Sequence, residues 1–142
     1  MKNNHPPFHL AFPVTDLIAT KIFYTEVLGC SIGRTNSKWI DFNFFGHQIT
    51  AHLSEKSFDL KKYDSKVDGM NVPVRHFGLI MDWEDWHEIK DNLISKKVNF
   101  IIKPYIRFKN NPGEQATLFI EDPSCNGIEL KSFKEKKMLF AC

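Results

Sequence analysis

Residues 74–81, VRHFGLIM, decide how the chain is read. They form an apolar run of β type that follows a charged stretch, EKSFDLKKYDSKVDGMNVP (55–73), and with them an order already met upstream begins again. The upstream run is FHLAFPV, residues 8–14, and each run carries one histidine among hydrocarbon side chains, His9 and His76. A single histidine on a strand is ordinarily a core residue bonded to a backbone carbonyl. Two at equivalent places of a repeat need another reason.

Working outward from FHLAFPV, Thr15 and Asp16 offer N-cap oxygens for a helix of about a dozen residues. Leu17, Phe23, Tyr24, Val27 and Leu28 fall near helical spacing, with Gly29 as the stop. Three β-like runs follow: CSIGRT, KWIDFNFFG and HQITAHL. Beyond VRHFGLIM the same order recurs. Asp82 caps a helix, DWEDWHEIKDNLISKK, and VNFIIKPYIRF, ATLFIED and GIELKSF read as strands. The pattern is βαβββ twice. Module 1 spans 8–54 and module 2 spans 74–133, within one domain of residues 1–142. The charged stretch 55–73 between them reads as a linker or mobile flap.

Bulk composition fits this reading. The chain has 142 residues, of which 42% are hydrophobic and 13% aromatic, enough to bury a sizeable core and to exclude intrinsic disorder. A net charge of +2, with only short basic runs such as KKY and KEKK, leaves no footprint for nucleic acid. Cys30, Cys125 and Cys142 are odd in number and lack CxxC spacing, so they read as reduced thiols. No stretch is apolar and long enough for a signal peptide or a bilayer span, so no membrane partner and a cytoplasmic setting are expected.

The last strand places a third polar residue. Glu129 sits between Ile128 and Leu130, and strand side chains alternate, so Glu129 points away from both. A carboxylate on the concave side of a sheet is costly unless it is paired or bound to a metal. His9, His76 and Glu129 together supply two imidazoles and one carboxylate. That set leaves open positions on an ion and suits Fe(II), with Zn, Mn or Ni tolerated.

The paired modules, HLAFPVTDLIATKIFYTEVLG in the first and HFGLIMD with EDPSCNGIEL in the second, resemble the vicinal oxygen chelate superfamily. That group contains glyoxalase I, the extradiol dioxygenases and the bleomycin and fosfomycin resistance proteins. The resemblance covers about residues 8–133. WIDFNFFGHQITAHL, VPVRHFGL and KPYIRFKNNPGEQATLFIEDPS are further similar to a bacterial subgroup described as extradiol-type dioxygenases. The resemblance implies an α+β fold in which two βαβββ modules form a cupped, partly open mixed β-sheet barrel with helices outside. It implies a divalent metal, Fe(II) by preference, held by His9, His76 and Glu129. A small-molecule substrate would chelate that metal through two oxygens, with dioxygen as co-substrate. It also implies a homodimer, to which the apolar tail MLFAC would contribute.

Two departures from the family pattern matter. Aligning QITAHL with GIELKS puts Thr50 where glyoxalase I carries a fourth, carboxylate ligand, which favours the dioxygenase type. The dioxygenase pattern carries a Tyr where this chain has Phe119, a His within the stretch that here reads Asn110, Asn111 and Pro112, and a Gly at Cys125. The metal triad is therefore present and the family's acid–base helpers are not.

Other residues complete the candidate site. His52 is the available general acid–base, because imidazole titrates near neutral pH. Gln48 and Thr50 share the face of His52 and would touch substrate, as would Phe119. Arg107, beside the PGEQ turn, would hold an anionic group bidentately. The alternatives to a dioxygenase are a glyoxalase I-like lyase and a non-catalytic binding protein of the drug-resistance type.

Overall fold

The structure, a computed structural model, describes residues 5–56 and 64–141. The chain divides into two compact units, Met1–Phe58 and Asp59–Cys142. The fold is α+β with mixed sheets and two repeated modules.

In the first unit β1 (His9–Val14) leads into α1 (Leu17–Ile22), which continues as a π-helical turn (Phe23–Val27). The N-cap is Asp16, whose Oδ1 accepts from the Ile18 and Ala19 amides at 2.8 and 2.9 Å. Gly29, at φ 73°, ends the helix where a β-carbon would be strained. A meander of β2 (Ser31–Thr35), β3 (Trp39–Phe44) and β4 (His47–Leu53) follows, in the sheet order β1-β4-β3-β2. β4 returns parallel to β1, as a helical crossover between them requires.

Alternation then sorts the side chains. Phe12, Val14, Phe42, Phe44, Ile49 and Ala51 are buried with Tyr24 and Leu28 of the helical segment, and the Tyr24 and Phe42 rings stack at 4.9 Å. The register places His9, Gln48, Thr50, Asp41 and His52 on the opposite face.

The second unit begins with a hairpin, β5 (Asp64–Val67) and β6 (Met70–Pro73). The stretch 55–73, read as a linker or flap, is therefore structured over its second half. Its residues 57–63 lie outside the described residues, as does Cys142. The hairpin turn at Asp68 and Gly69 is tied to the sheet, because Arg107 Nη2 donates to Asp68 Oδ1 at 3.2 Å. A two-residue turn and this ion pair organise the second half of that stretch.

β7 (His76–Met81), α2 (Trp83–Ser95), β8 (Phe100–Arg107), β9 (Gln115–Glu121) and β10 (Gly127–Phe133) repeat the first topology, in the order β7-β10-β9-β8 with β7 parallel to β10. Trp86, Leu93, Leu118, Ile120, Ile128 and Leu130 form the core, and Trp86 Nε1 donates to the Leu130 carbonyl at 2.8 Å. Each such side chain contributes roughly 1.5–3 kcal/mol by leaving water. Asp82 stands at the N-cap of α2 but makes no capping hydrogen bond, its carboxylate pairing instead with Lys136 at 2.6 Å. A 3₁₀ turn, Lys136–Phe140, follows β10 and leaves Phe140 89% exposed.

Candidate metal centre

In the second unit β7 and β10 lie side by side with Gly78 opposite Glu129. A β-carbon on Gly78 would stand 1.6 Å from the Glu129 carbonyl oxygen, so only glycine permits this approach. His76, two residues earlier on β7, faces the same side as Glu129. Its Nε2 stands 3.3 Å from Glu129 Oε2.

Both groups are oriented by their neighbours. His76 Nδ1 donates to the Pro73 carbonyl at 2.6 Å, which leaves Nε2 facing Glu129. The ring also meets Phe119 edge-on at 5.1 Å. Thr117 Oγ1 donates to Glu129 Oε1 at 2.7 Å, and Lys131 Nζ lies 3.2 Å from the same oxygen. Oε1 is thus engaged and Oε2 is turned toward the imidazole. The hydrogen bond to Glu129 raises the His76 pKa against the opposing effect of burial, and the Pro73 carbonyl adds to it. Burial alone would raise Glu129, but the hydrogen bonds from His76 and Thr117 and the charge of Lys131 carry it below its ordinary value.

The pair fits a metal ion. Two donors each about 2.1 Å from one ion stand about 3.0–3.4 Å apart at adjacent coordination positions. The observed 3.3 Å lies in that interval. A ring whose Nδ1 is held by a carbonyl, and a carboxylate whose outer oxygen is held by a hydroxyl, are the usual outer supports of metal ligands. Among the described residues of this unit, no third His, Cys, Asp or Glu joins the pair.

Arg107 and Tyr105 share this face of the sheet, opposite Gln115 and Thr117 of β9. Arg107 is already engaged by Asp68, with Nε 2.5 Å from Oδ2, so any anion binding there competes with an internal carboxylate. Burial pushes the Tyr105 phenol up, and a hydrogen bond with Asp68 adds to this.

The remaining candidates belong to the first unit. His9 is exposed at the start of β1, in register with Gln48. Thr50 holds the position that Glu129 holds in the second unit, one residue opposite Ala11 as Glu129 is opposite Gly78. Thr50 Oγ1 is occupied: it donates to Asp41 Oδ1 at 2.6 Å. Sequence reasoning misses Asp41, although a lone carboxylate between Ile40 and Phe42 in WIDFNF carries the same alternation signal as Glu129. It is 4% exposed and also accepts from Gln48 Nε2 at 3.2 Å and Arg34 Nε at 3.3 Å. His52 is exposed on the same face but opposite Pro13, four residues along β4 from Gln48. That spacing is about 13 Å at about 3.3 Å per residue.

Residues 7–130 match the profile of a family described as the Glyoxalase/Bleomycin resistance protein/Dioxygenase superfamily. No curated protein matches the chain. Among solved structures, a glyoxalase/bleomycin resistance protein/dioxygenase from Alicyclobacillus acidocaldarius is 30% identical, with a TM-score of 0.78 over 99% of this chain and 100% of that one. A lactoylglutathione lyase from Agrobacterium tumefaciens is 16% identical, with a TM-score of 0.63 over 99% of this chain and 100% of that one. A genomically encoded fosfomycin resistance protein from Listeria monocytogenes is 15% identical, with a TM-score of 0.67 over 92% and 93%. At these identities the last two share the fold alone.

Proposed function

Because this chain belongs to the Glyoxalase/Bleomycin resistance protein/Dioxygenase superfamily, we propose that it is a metal-dependent enzyme of extradiol-dioxygenase type, with His9, His76 and Glu129 as ligands. The observation that carries this reading is the His76–Glu129 pair, whose two donor atoms stand 3.3 Å apart with their outer atoms held by Pro73 and Thr117. When bound, a divalent ion, Fe(II) by preference with Zn, Mn or Ni as alternatives, supplies Lewis-acid polarisation of a substrate that chelates through two oxygens and, as Fe(II), electron transfer with dioxygen.

The chain's own residues have separate tasks in this reading. Lys131 keeps Glu129 ionised and Thr117 keeps it oriented. Phe119, against the His76 ring, supplies an apolar wall where a tyrosine would otherwise donate a proton. Gln48 and Thr50 face the substrate from the first module, and Arg107 binds an anionic arm once Asp68 gives way. His52 is the group available to move a proton. In this reading it acts at the far end of a bound molecule. Both modules act as one domain, in a cytoplasmic homodimer. No helix among the described residues is long and apolar enough to cross a membrane.

Anaerobic reconstitution with Fe(II), followed by dioxygen uptake on a panel of catechols and hydroxyquinols, tests the reading. Turnover that disappears in His76→Ala and Glu129→Ala is the expected result. Absence of turnover, with Zn or Ni supporting isomerisation of a thiol adduct, would assign a glyoxalase I-like lyase.

One observation favours a second, non-catalytic reading. His76 and Lys131 both lie within ion-pair distance of the Glu129 carboxylate, at 3.3 and 3.2 Å. A binding protein of the drug-resistance type would keep that cluster as structure. Metal content unchanged by both alanine substitutions is the result that would select it.

A further inference from the structure

The first unit contains a cavity of about 340 Å³ on the face that carries Asp41 and Gln48. Its polarity is set by hydrogen bonds made inside the protein. Gln48 Nε2 donates to Asp41, so the amide presents its oxygen as the remaining polar atom. Asn43 Oδ1 accepts from the Gly46 amide at 2.7 Å, which leaves its amino group as donor.

Arg34 completes the set. Its Nε is held by Asp41 and its guanidinium lies 5.7 Å from the centre of the Trp39 ring, while the side chain is 80% exposed. No other described residue takes its terminal nitrogens. The cavity wall therefore offers donors from Arg34 and Asn43 and one acceptor from Gln48. The carboxylate of Asp41 is engaged by Thr50, Gln48 and Arg34.

We propose that this cavity binds the oxyanion end of a small molecule, a carboxylate or a phosph(on)ate, with Arg34 as the charged contact and Gln48 Oε1 accepting from a hydroxyl on the same ligand. Arg34 is pre-oriented by Asp41 on one edge and by an aromatic face beneath it, so little side-chain freedom is lost on binding. The proposal deepens the reading above by naming a substrate class, and it rests on that reading only in making Gln48 a substrate contact. It needs no metal.

The test is an NMR titration of the metal-free full-length chain at constant ionic strength, with inorganic phosphate, methylphosphonate and acetate as probes. Saturable shifts of the backbone amides of Gly33, Gly46 and Gln48 are expected, and Arg34→Gln should weaken the affinity about tenfold, the scale of one charged hydrogen bond. Lys21→Gln removes the same charge from an exposed site on α1 and should leave the affinity unchanged. Tighter binding of methylphosphonate identifies a tetrahedral oxyanion, and tighter binding of acetate a planar one. Linear, unsaturated shifts, equal affinity in Arg34→Gln, or an equal loss in Lys21→Gln would each overturn the proposal. Failure here would leave the His76–Glu129 reading standing, and failure of metal uptake would leave this cavity's binding intact.

Discussion

His76 and Glu129 lie 53 residues apart in the chain, yet Nε2 of one stands 3.3 Å from Oε2 of the other. The first strand of the module runs parallel to its last, and that pairing closes the distance. Neither side chain is held by the other alone, since Pro73, Thr117 and Lys131 each fix one outer atom.

Thr117 supplies the clearest test of a supporting role. Thr117→Val keeps the shape of a side chain that is 3% exposed but removes the hydrogen bond to Glu129 Oε1. Loss of such an outer contact weakens metal affinity by about 10–100-fold. Competition titration with a chromophoric chelator measures it, and an unchanged affinity would show that Glu129 needs no such support.

The approach of β7 to β10 depends on one absent β-carbon. Gly78→Ala would drive a methyl group into the Glu129 carbonyl, so the strands must separate. We expect a loss of about 3 kcal/mol, the scale of an overpacked site. Urea denaturation measures that loss, and metal uptake should fall with it. A variant as stable as the parent would mean that the backbone relaxes at little cost.

The thiols differ in reactivity. Burial pushes Cys30 up to about 12, whereas Cys125 is exposed. At pH 8 iodoacetamide should modify Cys125 in the folded protein and Cys30 only after denaturation, because the thiolate is the nucleophile. Peptide mass spectrometry distinguishes the two sites. Equal rates in the native state would contradict the burial of Cys30.

Acid sensitivity has an identifiable contributor in Glu114. Lys134 Nζ lies 3.0 Å from Glu114 Oε2, and this contact, with the Asn110 amide, holds the carboxyl below its ordinary value of 4.5. A depressed folded pKa stabilises above the unfolded value, and that contribution is lost as pH falls through the folded one. Glu114→Gln should therefore be less stable than the parent at neutral pH, with the gap closing below pH 4.5. Urea midpoints across that range test it, and a gap that widens on acidification would reverse the sign.

Much of the fold was legible because alternation and helix stops are local properties. Ile128 and Leu130 flank Glu129, and their burial leaves the carboxylate on the other face, as period-two geometry requires. The hairpin of β5 and β6 was hidden by its composition. Lys66 and Asp68 read as solvated chain until the turn meets Arg107, which lies 39 residues further along. Asp41 was equally legible by the rule applied to Glu129, since both carboxylates sit between apolar residues of a strand.

By itself the sequence determined that two βαβββ modules exist, that His9 and His76 open them at matching positions, and that Glu129 faces away from the core. These follow from periodicity and from order along the chain. Only the tertiary structure decided which nitrogen of His76 is turned to Glu129, that Lys131 and Thr117 occupy the other carboxylate oxygen, and that Thr50 donates to Asp41. Each of those contacts joins different strands or different positions of one sheet, so it depends on register and on the close approach of backbones, which a string of residues does not contain.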